Sequence, residues 1–326
     1  MIKLRILSLL FLLPLANAFA QTRELAFQFL DQPSFTRLSS LGGVNVTSNS
    51  ELLFFMQNPA SLNEENSNVA SFHYLNFPGG INWGSAGYQW SPGFAGEFAV
   101  GLQLVSYGEF EGFDRFGVST GDFSAQEFNL QLSYSRAKGV FNYGATLKLM
   151  GSILESYQAY GLAMDLGVVY DHPKEDLRIG FVVKNLGLPI SGYLPDQKLR
   201  LPSDVRFGAS FKPKYMPVRF SWTLRNLNSM ERGIEEPDSF GRQALEKMVW
   251  GAEIIPSENF SLQIGYNLLV RRQFSGNSGA GSAGFSGGFA FRVKSFELSY
   301  ARSFYNVAGA SNVFGVSTNL KKKRSF

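Results

Sequence analysis

Between residues 127 and 134 apolar and polar positions alternate strictly. Phe128, Leu130, Leu132 and Tyr134 fall on one face, and Glu127, Asn129, Gln131 and Ser133 fall on the other. A period of two is that of an extended strand, whose successive side chains point to opposite faces. The same period recurs from Tyr160 to Val168, Val218 to Leu224, Phe260 to Tyr266 and Phe296 to Tyr300. From Asn68 onward fourteen such strands are predicted, near 68–76, 80–90, 95–107, 125–136, 139–151, 157–170, 176–186, 204–212, 217–226, 247–255, 259–269, 284–293, 295–303 and 312–320. A soluble sandwich also alternates, so one strand alone decides little. An even number of antiparallel strands, which returns the chain to the side where it began, is what a bacterial outer-membrane barrel requires.

The connections give an independent indication. Every second one is short: 91–94, 137–138, 171–175, 213–216, 256–258 and residue 294. The long ones, 108–124, 187–203, 227–246 and 270–283, all fall in the other set. Short periplasmic turns and long outer loops are the asymmetry of outer-membrane barrels, whereas a sandwich has no reason to sort its loops by parity. No segment after the N-terminus has the ~18 consecutive apolar residues of a membrane helix, but a barrel crosses lipid on alternate apolar residues. The expected fold is therefore all-β, a 14-stranded antiparallel transmembrane β-barrel over residues 68–326. With the apolar faces toward lipid, Lys148, Asp165, Arg178, Lys184, Arg206, Arg219, Arg225, Glu253, Arg292 and Glu297 would line the lumen. Charges of both signs could pair there and block it, or line an open pore. Tyr74, Trp83, Trp90, Tyr134, Tyr170 and Tyr300, near strand ends, are candidates for interfacial girdles.

Two segments precede the barrel. Residues 1–20 join a basic start (Lys3, Arg5), an apolar run from Ile6 to Leu15 and the small-x-small triplet Ala18-Phe19-Ala20. This is the pattern of a signal peptide, leaving a mature chain from Gln21. Residues 21–67 do not alternate. Pro59 after Asn58 can open a short helix through Ala60, and the cluster Leu52 to Met56 would be costly to expose. The expectation is an N-terminal plug seated in the barrel, against a flexible periplasmic lead.

Composition narrows the chemistry. The chain has 326 residues, 34 glycines and 31 phenylalanines, with two histidines and no cysteine. There is no thiolate site and no cysteine nucleophile, and His73 and His172 are too few for a histidine metal cage. Gly279 to Gly284 matches GxGxxG but is followed by a strand pattern instead of the helix a dinucleotide needs. Ser135 to Lys138 matches SxxK without its partner motifs, and no G-x-S-x-G elbow places a nucleophile. His172 reads as a turn residue and His73 as a lumen hydrogen-bonding group. Lys321 to Arg324 reads as a solvated tail or headgroup anchor, with no nucleic acid expected. The expectation is a non-catalytic protein with no cofactor and no metal, in the bacterial outer membrane.

Fourteen strands behind a segment containing Asn58-Pro59-Ala60 resemble the FadL superfamily of outer-membrane barrels. Within it, Leu41 to Val46, Phe54 to Ala60 and Gly80 to Gly84 are similar to the PorQ family of the type IX secretion system. That resemblance covers the mature chain and implies a component of the surface attachment complex. It implies a PorZ-like surface protein as partner, with PorU and PorV nearby, and Gly42, Gly43, Asn58, Pro59 and Ala60 as structural plug residues. The short length and charged lumen depart from the superfamily's fatty-acid transporters. On the first long connection, Phe110, Phe113, Phe116 and Phe123 either bind a partner or fold inward over the barrel mouth; Tyr193 to Pro195 and Met230 to Phe240 are weaker candidates. Two functions follow: an anchor for a surface partner, with a sealed lumen, or a transporter of a hydrophobic or small ligand, with an apolar pocket and a path past the plug.

Overall fold

Within a bilayer, alternating strands can satisfy both faces and every backbone group only if the sheet closes, with one face turned to lipid and the other inward. The computed structural model, which describes residues 24–93, 96–229, 240–274, 281–305 and 309–321, shows that closure. The wall consists of β1 (Val69–Asn76), β2 (Asn82–Trp90), β3 (Glu97–Phe113), β4 (Ser119–Lys138), β5 (Phe141–Leu154), β6 (Tyr157–Asp171) and β7 (Asp176–Ser191). It continues through β8 (Asp204–Lys212), β9 (Val218–Leu224), β10 (Met248–Ser257), β11 (Phe260–Asn267), β12 (Phe285–Val293), β13 (Phe296–Phe304) and β14 (Ala310–Asn319). Each strand pairs antiparallel with the next, and β14 closes on β1 from Asn312↔Asn76 to Asn319↔Val69. The signal-peptide pattern, most of the basic tail and the 230–239 part of the third long connection lie outside the described residues.

Burial follows parity. Leu130, Leu132, Leu147 and Leu162 are exposed on the outer face, while Gln103, Asn129, Gln131, Thr146 and Asp165 are buried on the inner one. Tyr74, Trp90, Tyr134, Tyr170 and Tyr300 lie on or near the outer surface among aromatic neighbours: Phe98 sits 5.6 Å from Trp90 and 5.0 Å from Tyr134, ring centre to ring centre. Trp83 differs from its expected place. It pairs with buried Leu75, shares inner parity with Ser85, and packs against Phe29 at 6.3 Å. Nearness to a strand end does not determine which face a side chain takes.

The connections also depart from expectation in one place. Residues 108–124 are not a loop: β3 runs on to Phe113 and β4 begins at Ser119, forming a tall hairpin closed by a turn at 114–118. Two register shifts, between Ser106 and Glu109 and between Gly112 and Phe113, break the alternation that would have revealed it. Similarly β7 extends through Ser191, and Asn267 caps a short helix, α3 (Leu268–Gln273), by accepting from Val270 N at 3.2 Å. The earlier helices are α1 (Thr36–Ser40) and α2 (Phe240–Glu246). The longest remaining connections, 192–203, 225–247 and 268–284, still share one end of the barrel, here termed the upper mouth.

Residues 24–67 lie inside this wall. Glu24–Leu25 pair in parallel with Leu199–Arg200 at the upper mouth. The chain then descends through α1 and short 3₁₀ turns to Asn68 at the opposite end, where Leu320 N donates to Asn68 O at 2.9 Å. Phe35, Leu38, Leu41 and Leu52 to Met56 form a small core within the lumen, with Phe35 edge-on to Phe54 at 5.2 Å. Glycines on the wall admit this close approach. A Cβ at Gly144 would fall 2.4 Å from the Pro59 carbonyl carbon, and one at Gly265 would fall 2.1 Å from Gly42 N.

Candidate functional site: the lumen and the upper mouth

Alternation delivers polar and charged side chains into the lumen, where each must find a partner or pay for desolvation. The inner segment supplies many of those partners. Arg37, on α1, reaches Glu253 of β10 at 2.5 Å and Glu297 of β13 at 3.4 Å. Glu51 meets His73 of β1 at 2.9 Å and also accepts from Arg37 N at 3.3 Å. The His73 Nδ1 lies 3.3 Å from Thr36 N, and Thr36 Oγ1 lies 2.7 Å from Ser299 Oγ of β13.

A second set joins the segment to β7 and β8, beside a pair within the wall itself. Asp31 contacts Arg206 at 2.9 Å, and the same guanidinium binds Asp204 at 2.5 Å and donates to Gln57 Oε1 at 2.8 Å. Lys184 Nζ donates to Met56 O at 3.0 Å, Arg178 Nη1 donates to Thr47 O at 2.7 Å, and Lys148 pairs with Asp165 at 2.6 Å. Of the charges assigned to the lumen, Lys148, Asp165, Arg178, Lys184, Arg206 and Glu253 are buried. Arg292, by contrast, is largely exposed and pairs with Glu297 at 2.7 Å.

The five plug residues fall at bends of the inner segment. Gly42 and Gly43 take φ of +90° and +87°, a region that favours glycine. The Gly42 carbonyl accepts from Asn267 Nδ2 at 2.9 Å, and its N–H donates to Ser286 Oγ at 3.1 Å. Asn58 donates to Val46 O at 2.8 Å and accepts from Ala60 N at 3.1 Å, while Pro59 occupies the first position of the turn. The fastenings contributed by Asp31, Arg37 and Glu51 were missed in the sequence. Their one signal is charge inside an otherwise apolar and small-residue stretch.

The four hairpin phenylalanines do not form a single patch. Phe123 shares inward parity with Ala125 and Glu127, and it stacks on its cross-strand partner Phe110 at 5.4 Å. That pair leans over the mouth. Phe113 and Phe116 instead occupy the tip, 59% and 76% exposed, with the Arg115 guanidinium 4.7 Å above the Phe116 ring. Two cavities open at the upper mouth. One of about 480 Å³ is lined by Leu25, Asp31, Phe77, Arg225, Phe274 and Tyr305 among others. The other, about 470 Å³, lies below Phe110 between Phe27, Phe29, Tyr107, Glu127 and Tyr193. Burial pushes the Tyr193 hydroxyl above its ordinary pKa, so it stands as a neutral wall group.

The remaining motifs take structural roles. Ser135 to Lys138 ends β4, and the described part of the glycine-rich match, Gly281 to Gly284, is a turn leading into β12. His172 Nδ1 accepts from Lys174 N and Glu175 N at 3.3 and 3.1 Å, holding its turn.

No family model and no curated protein sequence matches the chain. Among solved structures, the Pseudomonas putida toluene transporter TodX is similar over 88% of this chain and 96% of its own, with 11% identity and a TM-score of 0.54. The TodX deltaS2S3 mutant, described as a monoaromatic hydrocarbon channel, is similar over 88% and 99% with 11% identity and a TM-score of 0.55. A Pseudomonas aeruginosa FadL homologue aligns over 88% and 98% at 9% identity and a TM-score of 0.49. At such identities the likeness is one of fold alone: the chain is a closed fourteen-stranded antiparallel barrel, similar in fold to TodX.

Proposed function

We propose that the chain is a non-catalytic barrel of the bacterial outer membrane that holds a protein partner at the cell surface. This is the role that its resemblance to PorQ implies, with a PorZ-like surface protein as partner and PorU- and PorV-like proteins in the larger assembly. The observation that carries the reading is the fastening of the inner segment. Arg37, Glu51, Asp31, Thr47 and Met56 are bound to strands spread around the wall. Removing one partner from a buried ion pair costs about 3–5 kcal/mol, so displacing the whole segment for every transported molecule would be slow. Gly42, Gly43, Asn58, Pro59 and Ala60 then serve as bends of a fixed plug, and the exposed aromatic tip at Phe113 and Phe116 is a surface for the partner.

A second reading, transport of a hydrophobic or small ligand, is favoured by the fold likeness to TodX and by the 480 Å³ cavity at the mouth. Purification of the tagged barrel from outer membranes in a gentle detergent separates the two. A stoichiometric, surface-exposed protein is expected to accompany it, and Phe110, Phe113 and Phe116 changed together to Ser should release that protein while the barrel stays folded. Recovery of the barrel alone, with lipid or a small ligand in the mouth, would favour transport.

A further inference from the structure

The cavity below Phe110 has an unusual composition. Its walls carry five aromatic side chains, Phe27 and Phe29 of the inner segment, Tyr107 and Phe110 of β3, and Tyr193 of the 192–203 connection. Leu25, Leu154 and Leu199 add to the apolar lining with Ala26 and Ala125, Gln28 and Gln197 are neutral polar groups, and Glu127 enters from β4. Glu127 is 8% exposed. It accepts a hydrogen bond from the Tyr107 hydroxyl, yet among the described residues no Lys, Arg or His forms an ion pair with it. Elsewhere in the lumen the buried carboxylates of Asp165, Asp204 and Glu253 each have a cationic partner, while Glu97, which has none, is held by Gln89 and Ser91 and lines no part of this cavity. The one other charged group lining the cavity, Glu24, is also acidic, and it holds Gln197 Nε2 at 2.6 Å.

Aromatic faces around a desolvated carboxylate attract a cation, because the ring quadrupoles and the carboxylate both favour positive charge. The hairpin above carries the same sign: Glu109, Glu111, Asp114 and Asp122 are exposed, against the single cation Arg115. We propose that this cavity is a receptor for a basic side chain, lysine or arginine, presented by the protein bound at the surface. A volume of about 470 Å³ admits such a side chain with room for its flanking backbone. The inference rests on the anchoring reading for its occupant, but the site can be assayed without the partner. The Tyr107 hydroxyl fixes the Glu127 carboxylate, and Phe110, stacked on Phe123, lines the cavity beside it.

The test is calorimetric titration of the full chain, in an uncharged detergent, with acetyl-Gly-Arg-Gly-amide. The neutral citrulline peptide and the acidic acetyl-Gly-Glu-Gly-amide serve as comparisons. Saturable binding of the arginine peptide is expected with a Kd of about 1 mM, the affinity of roughly one charge-assisted contact with ring contacts. The citrulline peptide should bind about tenfold more weakly, and Glu127→Gln should lose a similar factor for the arginine peptide. Gel mobility before and after heating verifies that each barrel is folded. If Glu127→Gln does not fold, Phe110→Ser, at a half-exposed position, should weaken the arginine peptide several-fold and the acidic peptide not at all. Equal affinity for the arginine and citrulline peptides, or no saturable binding, would overturn the site. Peptide binding without a co-purifying partner would leave this site standing and count against the anchoring role.

Discussion

The two faces of one wall obey opposite rules. On β5, Leu147 is 60% exposed, while its neighbours Thr146 and Lys148 are 0% and 3% exposed. In a water-soluble protein that distribution would be inverted. It is consistent here because each strand meets two different solvents: hydrocarbon outside, and a polar peptide segment inside. The outer face needs only to be apolar, so Leu, Phe and Val serve almost interchangeably. The inner face must match particular partners, as Arg206 does with Asp31, Asp204 and Gln57. Specificity therefore resides inside, and tolerance outside.

The largest departure from this contrast should come from removing an inner partner. Arg37→Ala leaves the buried Glu253 with only Arg219 at 3.7 Å and Glu297 with only Arg292, and is expected to lower unfolding stability by about 3 kcal/mol, read by denaturant titration in detergent. Next is an intrusion on the outer face. Leu147→Arg should cost about 2–4 kcal/mol near the bilayer midplane and about 0–1 near an interface, read as reversible folding into vesicles. A pair of glycine variants then compares the faces directly. Gly144→Val drives its side chain into Pro59 and Ala60 and should cost about 1–3 kcal/mol. Gly84→Val, whose Cβ meets nothing within 4 Å, should stay within about 0.5 kcal/mol of the parent. The smallest effect belongs to the tip: Phe113→Ser with Phe116→Ser should change stability by less than about 0.5 kcal/mol, measured by the same titration, while weakening partner retention.

The wall was largely legible, because a period of two is a local signal. The β8 strand occupies 204–212, the range its alternation gives, and β6 and β14 differ from their expected ranges by a residue or two. The hairpin above Ser106 was not legible, since two bulges shift its parity and glycines at 108, 112, 117 and 121 resemble a loop. Trp83 was misassigned because strand-end position was read in place of parity. The inner fastenings join residues far apart in sequence, Arg37 with Glu253 and Asp31 with Arg206. No local pattern records such pairs; only the closed barrel brings them together. Glu127 was visible as an inward polar residue, but its lack of a cation emerges only beside Asp165, Asp204 and Glu253, which have one; Glu97 shares that lack but is held by Gln89 and Ser91.

The central claim, that the inner segment seals the barrel, is tested most directly by the conductance of the purified full chain in a planar bilayer. The account predicts that the parent protein inserts without stepwise ion current, whereas Arg37→Ala shows intermittent openings. A steady open-pore current in the parent protein would contradict it.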